Sequence, residues 1–308
     1  MTRAVIDLGT NSLKCVIASV EKGSFSVLRD FSQVTRLGEC LQKSGSIGSD
    51  AMQRNLKSLK DIASICRELE TEFLLCVGCA TLRRSADADV FRSLVCKELG
   101  WQLHTLSAEE EARLTFAASA YLAPPDLPCA VIDIGGGSTE LAFGGSTGIH
   151  SGISLPLGAV TLTSGFIHSD PIKQNDLQDL QYYIRQQLAE VAFPPQNTFA
   201  IACGGSATSL ASVLLGLSVF DQELVEGKLL SKEELQRQIE LYSVSGLETR
   251  KEIVGLDPDR ADIILSGAIL LQEIMLHFGW EQVAISTRGI RHALLLDETY
   301  WEELISSV

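Results

Sequence analysis

The stretch Ala130-Val131-Ile132-Asp133-Ile134-Gly135-Gly136-Gly137-Ser138-Thr139-Glu140 decides how this chain is read. A short apolar run ends in an acidic residue and a Gly-rich segment, the pattern of a buried strand entering a tight turn. The same pattern stands near the start, as Ala4-Val5-Ile6-Asp7-Leu8-Gly9-Thr10-Asn11-Ser12. A second pair of landmarks keeps step with the first. Gly78-Cys79-Ala80-Thr81-Leu82 has its counterpart in Gly204-Gly205-Ser206-Ala207-Thr208-Ser209-Leu210, and each begins 71 residues after its aspartate, at 7 and at 133. Two matched landmarks at matched spacing predict a duplicated domain.

Working outward, 4–8 and 130–134 are expected strands, and 13–20 and 139–143 their return strands, so each Gly-rich segment is a hairpin loop. Met52, Leu56, Leu59, Ala63 and Cys66 fall on one helical face, as do Leu177, Leu180, Ile184, Leu188 and Val191. Asp257-Pro258 is a helix start, Asp as cap and Pro in the first turn. The helix expected after it, over 261–278, is apolar almost all round and should be buried. Strands alternating with helices predict α/β domains. The Pro-rich stretch Ala123-Pro124-Pro125-Asp126-Leu127-Pro128 is the linker candidate. It sets expected domains at 1–124 and 125–308, with the last helix packing back on the first.

The 308 residues are 45% hydrophobic and 21% charged, which excludes disorder, collagen-like repeats and a coiled coil. The net charge of −14 argues against nucleic acid as a partner. A polyanion would then need a local cationic patch or a metal. The longest apolar run, 73–82, is too short to span a membrane. Asp7, Asn11 and Lys14 interrupt what would be the apolar region of a signal peptide. Eight cysteines, most of them inside apolar runs, predict a reduced cytoplasmic chain.

Glycine lets backbone N–H groups approach an anion, and successive amides in a turn form a nest for phosphate oxygens. Asp7 and Asp133, at strand ends, are placed to hold a divalent cation. Ser12, Ser138 and Thr139 add hydroxyl donors. Two tight hairpins with a capping Asp would explain either segment alone, whereas the matched pair favours phosphate binding. A Walker loop is excluded, since no Lys precedes the hydroxyl residue. In Ser107-Ala108-Glu109-Glu110-Glu111-Ala112-Arg113, Ser107 and Glu110 make a capping box. Glu109 suits the helix start, and Glu111 is left over: catalytic, or one more acidic residue in a first turn. Arg83 and Arg84 are cations suited to an anionic substrate or a solvated loop pair. Lys14, Arg288 and Arg291 are weaker candidates. Cys76-Val77-Gly78-Cys79 reads as core packing, and the five histidines show no ligand spacing.

Together these motifs resemble the exopolyphosphatase/guanosine pentaphosphate phosphatase (Ppx/GppA) family over nearly the whole chain. The most specific feature is Ser107-Ala108-Glu109-Glu110-Glu111-Ala112-Arg113 placed before Asp133-Ile134-Gly135-Gly136-Gly137-Ser138-Thr139-Glu140. The resemblance implies duplicated actin-like (ribonuclease H-like) domains, shared with the sugar kinase, actin and chaperone ATPase superfold, and an active site in an interdomain cleft. It implies Glu111 as the catalytic residue. It places phosphate binding at Gly9, Thr10, Asn11, Ser12, Arg83, Gly135, Gly136, Gly137, Ser138, Thr139, Gly204, Gly205 and Ser206. Mg2+ is implied at Asp133 and Glu140, with Asp7 a further ligand candidate, and a homodimer is the implied assembly. Two departures stand out: Ala108 replaces a usual Gly, and Ser286-Thr287-Arg288-Gly289-Ile290-Arg291-His292 adds positive charge where the family is acidic or small.

The expected function is removal of the terminal phosphate from inorganic polyphosphate. The rivals are hydrolysis of guanosine pentaphosphate, a small-molecule kinase of the same superfold, and a non-catalytic polyphosphate-binding regulator. With Val308 the last residue, the resemblance is to a short two-domain form, and the extra C-terminal helical domain of longer relatives is not expected. With few cations beyond Arg83, Arg84, Arg288 and Arg291 to track a long chain, a distributive enzyme favouring short polyphosphates is expected.

Overall fold

The computed structural model describes residues 1–306, with side chains as far as 302. It comprises two compact units: Met1–Leu114 with the chain from Ile290 onward, and Thr115–Gly289.

The chain enters the first unit through β1 (Thr2–Leu8), β2 (Ser12–Glu21) and β3 (Ser24–Val34). It continues through α1 (Leu41–Ser44), α2 (Ser49–Glu68), β4 (Phe73–Gly78), α3 (Ala80–Arg84), α4 (Ala88–Leu99) and β5 (Leu103–Thr105). Helix α5 (Ala108–Ser119) begins in this unit and ends in the second. The second unit holds β6 (Cys129–Ile134), β7 (Thr139–Gly145), β8 (Gly148–Leu155), α6 (Ala159–Phe166), α7 (Gln174–Leu188) and β9 (Phe199–Cys203). It closes with α8 (Gly204–Leu215), α9 (Gln222–Val225), β10 (Leu229–Ser231), α10 (Lys232–Val244), α11 (Leu247–Lys251), α12 (Ile264–Phe278) and β11 (Gln282–Ile285). Two further helices, α13 (Ile290–Leu296) and α14 (Glu298–Ser306), return to the first unit.

The first sheet runs β3-β2-β1-β4-β5 and the second β8-β7-β6-β9-β11-β10. In each, a three-strand meander is followed by a strand parallel to its first member. This is the duplicated actin-like order, and it explains the second sequence landmark. Gly78 lies opposite Leu8 across the parallel β1/β4 pair. Gly204 follows Cys203, which lies opposite Asp133 across β6/β9. Each landmark is thus the carboxyl end of the strand beside its Asp-bearing strand, where α/β sheets place their ligands.

Strands β1, β2 and β4 of the first sheet are covered on both faces, so they read as largely apolar runs, whereas the edge strand β3 is mostly exposed. Ile6, Leu8, Leu13, Cys15 and Ile17 pack with residues of α2 and α4. Val5, Val16, Ala18, Leu75 and Val77 pack with Leu114 and with Ile290, Leu294, Leu295 and Trp301 of the returning chain. The second core centres on α12, whose residues from Ile264 to Met275 are all buried.

Two boundaries differ from expectation. The units divide at Leu114/Thr115, ahead of the Pro-rich stretch, which leads into β6 inside the second unit. The reason is packing: Phe116 of α5 lies where a Cβ on Gly144 of β7 would have to be. Asp257 does act as a cap, accepting from the Asp259 amide at 3.0 Å, but of a short 3₁₀ turn over Pro258–Arg260. The long helix starts only at Ile264. Among the described residues no helix is long and apolar enough to cross a membrane.

Candidate active site

In the first unit the Gly-rich segment is a tight turn closed by the Gly9 amide donating to the Ser12 carbonyl at 3.1 Å. A Cβ on Gly9 would sit 2.8 Å from that carbonyl oxygen, so glycine is required. The Gly38 amide donates to the Thr10 carbonyl, and the Thr35 and Arg36 amides both donate to the Asn11 carbonyl. Thr81 Oγ1 donates to Thr10 Oγ1 at 2.8 Å. Asp7, Thr10, Asn11 and Ser12 are all buried. Asp7 accepts a long contact, 4.0 Å, from the Cys79 thiol. Cys76 is in mid-strand and Cys79 just ahead of α3, which is the packing role expected of them.

Arg83 is on helix α3 rather than on a loop. Its Nη1 donates to Glu111 Oε2 at 2.6 Å and to the Leu106 carbonyl at 2.9 Å. Glu111 is 7% exposed. The capping box forms as the spacing predicts: the Glu110 amide donates to Ser107 Oγ at 3.1 Å, and the Ser107 amide donates to Glu110 Oε2 at 2.7 Å. Glu110 turns back on the cap, and Glu111, one residue on, faces Arg83. The structure therefore joins two residues that sequence could nominate only separately.

The second unit repeats the turn. The Gly135 amide donates to the Ser138 carbonyl at 3.0 Å, and a Cβ on Gly135 would sit 2.9 Å from it. Behind the turn, the Ala159 and Val160 amides at the start of α6 donate to the Gly135 and Gly136 carbonyls. This approach leaves no room for a Cβ at Gly158, which would lie 2.3 Å from the Gly136 oxygen. Gly204, at φ +88°, begins α8.

Three of the expected ligand residues also make close contacts within the second unit. Thr139 is fully buried and its hydroxyl donates to the Leu157 carbonyl at 2.6 Å, which ties the hairpin to the chain ahead of α6. Gly205 lies under the Arg260 guanidinium, and Ser206 lies against Gly267 of α12. These glycines let α8 approach its neighbours closely.

Asp133 and Glu140 are directly opposite across the β6/β7 pair, so both carboxylates leave the same face of the sheet. Thr115 Oγ1 donates to Asp133 Oδ2 at 3.2 Å, and Ser154 Oγ donates to Glu140 Oε1 at 2.7 Å. Neither hydroxyl was singled out from sequence, although Thr115 is one helical turn after Glu111. Among the described residues no three His, Cys, Asp or Glu side chains gather as a cation cage. Two carboxylates on one face still suit magnesium, which keeps several waters and takes one or two carboxylates plus phosphate oxygens.

Two of the other candidate cations, Arg291 and Arg288, make contacts outside the Gly-rich turns. Arg291 donates through Nε and Nη2 to the two oxygens of Asp30, both at 3.0 Å, and His292 Nε2 lies 3.0 Å from Oδ2. Arg291 is thus a tether between α13 and β3. Arg288 lies over the Tyr121 ring at 4.4 Å. The loop that carries it is gripped by Glu226, which accepts from the Thr287 amide at 2.7 Å and Ser286 Oγ at 3.2 Å. An apolar hollow of about 430 Å³ on the second unit, lined by Cys129, Phe143, Gly144 and Phe193, lies at the far end of the β6/β7 hairpin from the Gly135–Ser138 turn.

Comparison with known proteins gives a consistent result. The model of the Ppx/GppA phosphatase family matches residues 16–301. A bifunctional 3-dehydroquinate synthase/phosphatase of Fusobacterium nucleatum is 30% identical over 92% of this chain, which spans 44% of that longer protein. Exopolyphosphatase 2 of Mycobacterium tuberculosis is 26% identical over 95% of this chain and 97% of its own length. The crystal structure of the Aquifex aeolicus Ppx/GppA family member superposes with a TM-score of 0.82 at 27% identity, covering 98% of both chains.

Proposed function

Since the chain belongs to the Ppx/GppA phosphatase family, we propose that it hydrolyses the terminal phosphoanhydride bond of inorganic polyphosphate and releases orthophosphate. The observation that carries this reading is Glu111: a buried carboxylate at the first turn of α5, aimed by Arg83 at 2.6 Å. Binding a polyanion needs no buried carboxylate, whereas activating water does.

In this proposal Glu111 takes a proton from water as its oxygen attacks the terminal phosphorus in line. The anhydride P–O bond breaks, and the shortened chain leaves with the bonding pair. Arg83 fixes the direction of the Glu111 carboxylate. The amides of the Gly9–Ser12 and Gly135–Ser138 turns hold phosphate oxygens, as successive N–H groups in turns do. Asp133 and Glu140 would hold magnesium, which would supply charge neutralisation at the phosphate oxygens. Electrostatics allows this in a chain of net charge −14, because local potential governs anion binding more than the total does.

We place the protein in the cytoplasm on the sequence reading of its eight cysteines, most of them inside apolar runs. A homodimer rests on the family resemblance, and sedimentation of the purified chain tests it. The deciding experiment is phosphate release from polyphosphate and from guanosine pentaphosphate, with magnesium and with chelator. Faster turnover of polyphosphate is expected. Preference for the nucleotide would replace the substrate and keep the chemistry, and absence of release from both would overturn the reading.

A further inference from the structure

The first turn of α5 is held from outside by the returning chain. Glu110 shares its two oxygens: Oε2 accepts from the Ser107 amide at 2.7 Å, and Oε1 accepts from the Tyr300 hydroxyl at 2.6 Å. One turn on, Arg113 Nη1 donates to Asp297 Oδ2 at 2.8 Å. The Glu111 amide donates to the Ser107 carbonyl at 3.0 Å. Glu111 is therefore flanked by two residues, 110 and 113, each tied to the segment 297–300.

That segment is itself well anchored. Trp301 is fully buried, and its Nε1 donates to the Leu294 carbonyl at 2.7 Å. Arg3 of β1, 1% exposed, donates from Nη1 to the Leu295 carbonyl at 2.8 Å. It grips Glu298 with two bonds of 2.9 Å and lies 4.7 Å from the Trp301 ring centroid. A continuous path of buried or charge-assisted contacts thus runs from β1, through α14, to the cap of the helix that carries Glu111. Charge-assisted bonds of this kind are both stronger and more directional than neutral ones.

We infer that Tyr300 and Asp297 are positioning residues for Glu111, acting through Glu110 and Arg113 to fix the first turn of α5 in register with Arg83. The inference rests on the phosphatase reading and adds to it a source of precision outside the catalytic motifs. Burial alone would raise the Glu110 carboxyl, but the bonds from Tyr300 and Ser107 outweigh it and hold it below its ordinary range. Burial, with Glu110 adding to it, pushes the Tyr300 phenol up, so the phenol stays a donor across the working pH range. A shift of about 1 Å in a reacting group costs on the order of a hundredfold in rate, so a loosened turn should cost part of that.

The test is a double-mutant cycle on the full chain. Tyr300→Phe should lower kcat for polyphosphate by roughly five- to twentyfold with KM unchanged, a fraction of the full misplacement cost. Asp297→Asn should act in the same direction. In a Glu111→Gln background, where no base remains to be aimed, Tyr300→Phe should cost nothing further. Lys60→Gln removes an ion pair between α2 and α4, 2.7 Å to Glu98 and outside this path, and should leave kcat unchanged. An equal fall in both backgrounds would make Tyr300 merely structural and overturn the inference. So would an unchanged kcat in both Tyr300→Phe and Asp297→Asn. An unmodified chain that releases no phosphate would instead overturn the phosphatase reading itself, and this inference with it.

Discussion

The two Gly-rich hairpins share a backbone and differ in chemistry. Each is closed by the same amide-to-carbonyl bond, Gly9 to Ser12 and Gly135 to Ser138. Each demands glycine for the same steric reason. The residue opposite the aspartate separates them. Asp7 faces Lys14, whereas Asp133 faces Glu140. Opposite charges across a strand pair compensate each other, and like charges repel unless a cation joins them. One hairpin sets a lysine opposite its aspartate, and the other sets a second carboxylate there, the pair to which we assign magnesium. Duplication preserved the turn, which backbone sterics dictate. The cross-strand position was free to change, because the ladder bonds do not depend on it.

The largest expected effect asks whether chemistry resides in the first unit's α5 or in the turns. Glu111→Gln should lower turnover by two orders of magnitude or more, the usual worth of a general base. Glu109→Gln, which belongs to the helix start alone, should change it little. Comparable losses at the two positions would move the chemistry away from Glu111.

The next prediction tests whether the hairpins are sterically matched. Gly9→Ala and Gly135→Ala place a Cβ 2.8 and 2.9 Å from a backbone oxygen. Each should destabilise the protein by about 1–3 kcal/mol, as overpacking does. Urea melts of both variants measure this, and a clear difference between them would break the match.

The third separates the hairpins by their cross-strand partners. Glu140→Gln should raise the magnesium concentration for half-maximal rate by about tenfold, since one of two carboxylate donors is lost. Lys14→Gln should leave that concentration unmoved. A magnesium titration in which Lys14→Gln shifts as far as Glu140→Gln would remove the distinction.

The smallest effect concerns the third strand of each meander. In the first unit β3 is tethered through Asp30. Burial by itself would raise that carboxyl, but His292 and Arg291 outweigh it and hold it below its ordinary value. A depressed carboxyl contributes stability that is present above its unfolded value near pH 4 and lost as pH falls through its folded value. The stability gap between the unmodified chain and Asp30→Asn should therefore be full at pH 6 and close below about pH 4. A gap that persists at pH 2 would mean that packing, not charge, holds β3.

Much of this could be read before any coordinates. The hairpins over 4–20 and 130–143, the matched spacing of 71 residues, the amphipathic helices and the Ser107–Glu110 cap all follow from neighbours a few residues apart. At that range sterics, pleat and helical period leave few alternatives. The cap was legible in full, down to both of its hydrogen bonds. Glu111 was legible only as the acidic residue the cap did not need.

What tertiary structure decided involves groups far apart in the chain. Arg83 meets Glu111 across 28 residues, Arg291 meets Asp30 across 261, and Arg3 meets Glu298 across 295. The start of α12 at Ile264 and the split at Leu114/Thr115 belong here too, since each is set by what packs against the helix. Local sequence determines which elements form and which way their side chains alternate. It does not determine which cation a carboxylate meets, because that depends on which elements the core brings together. Thus Arg83 and Arg291 look alike in sequence, yet one aims the candidate base and the other ties a helix to a strand.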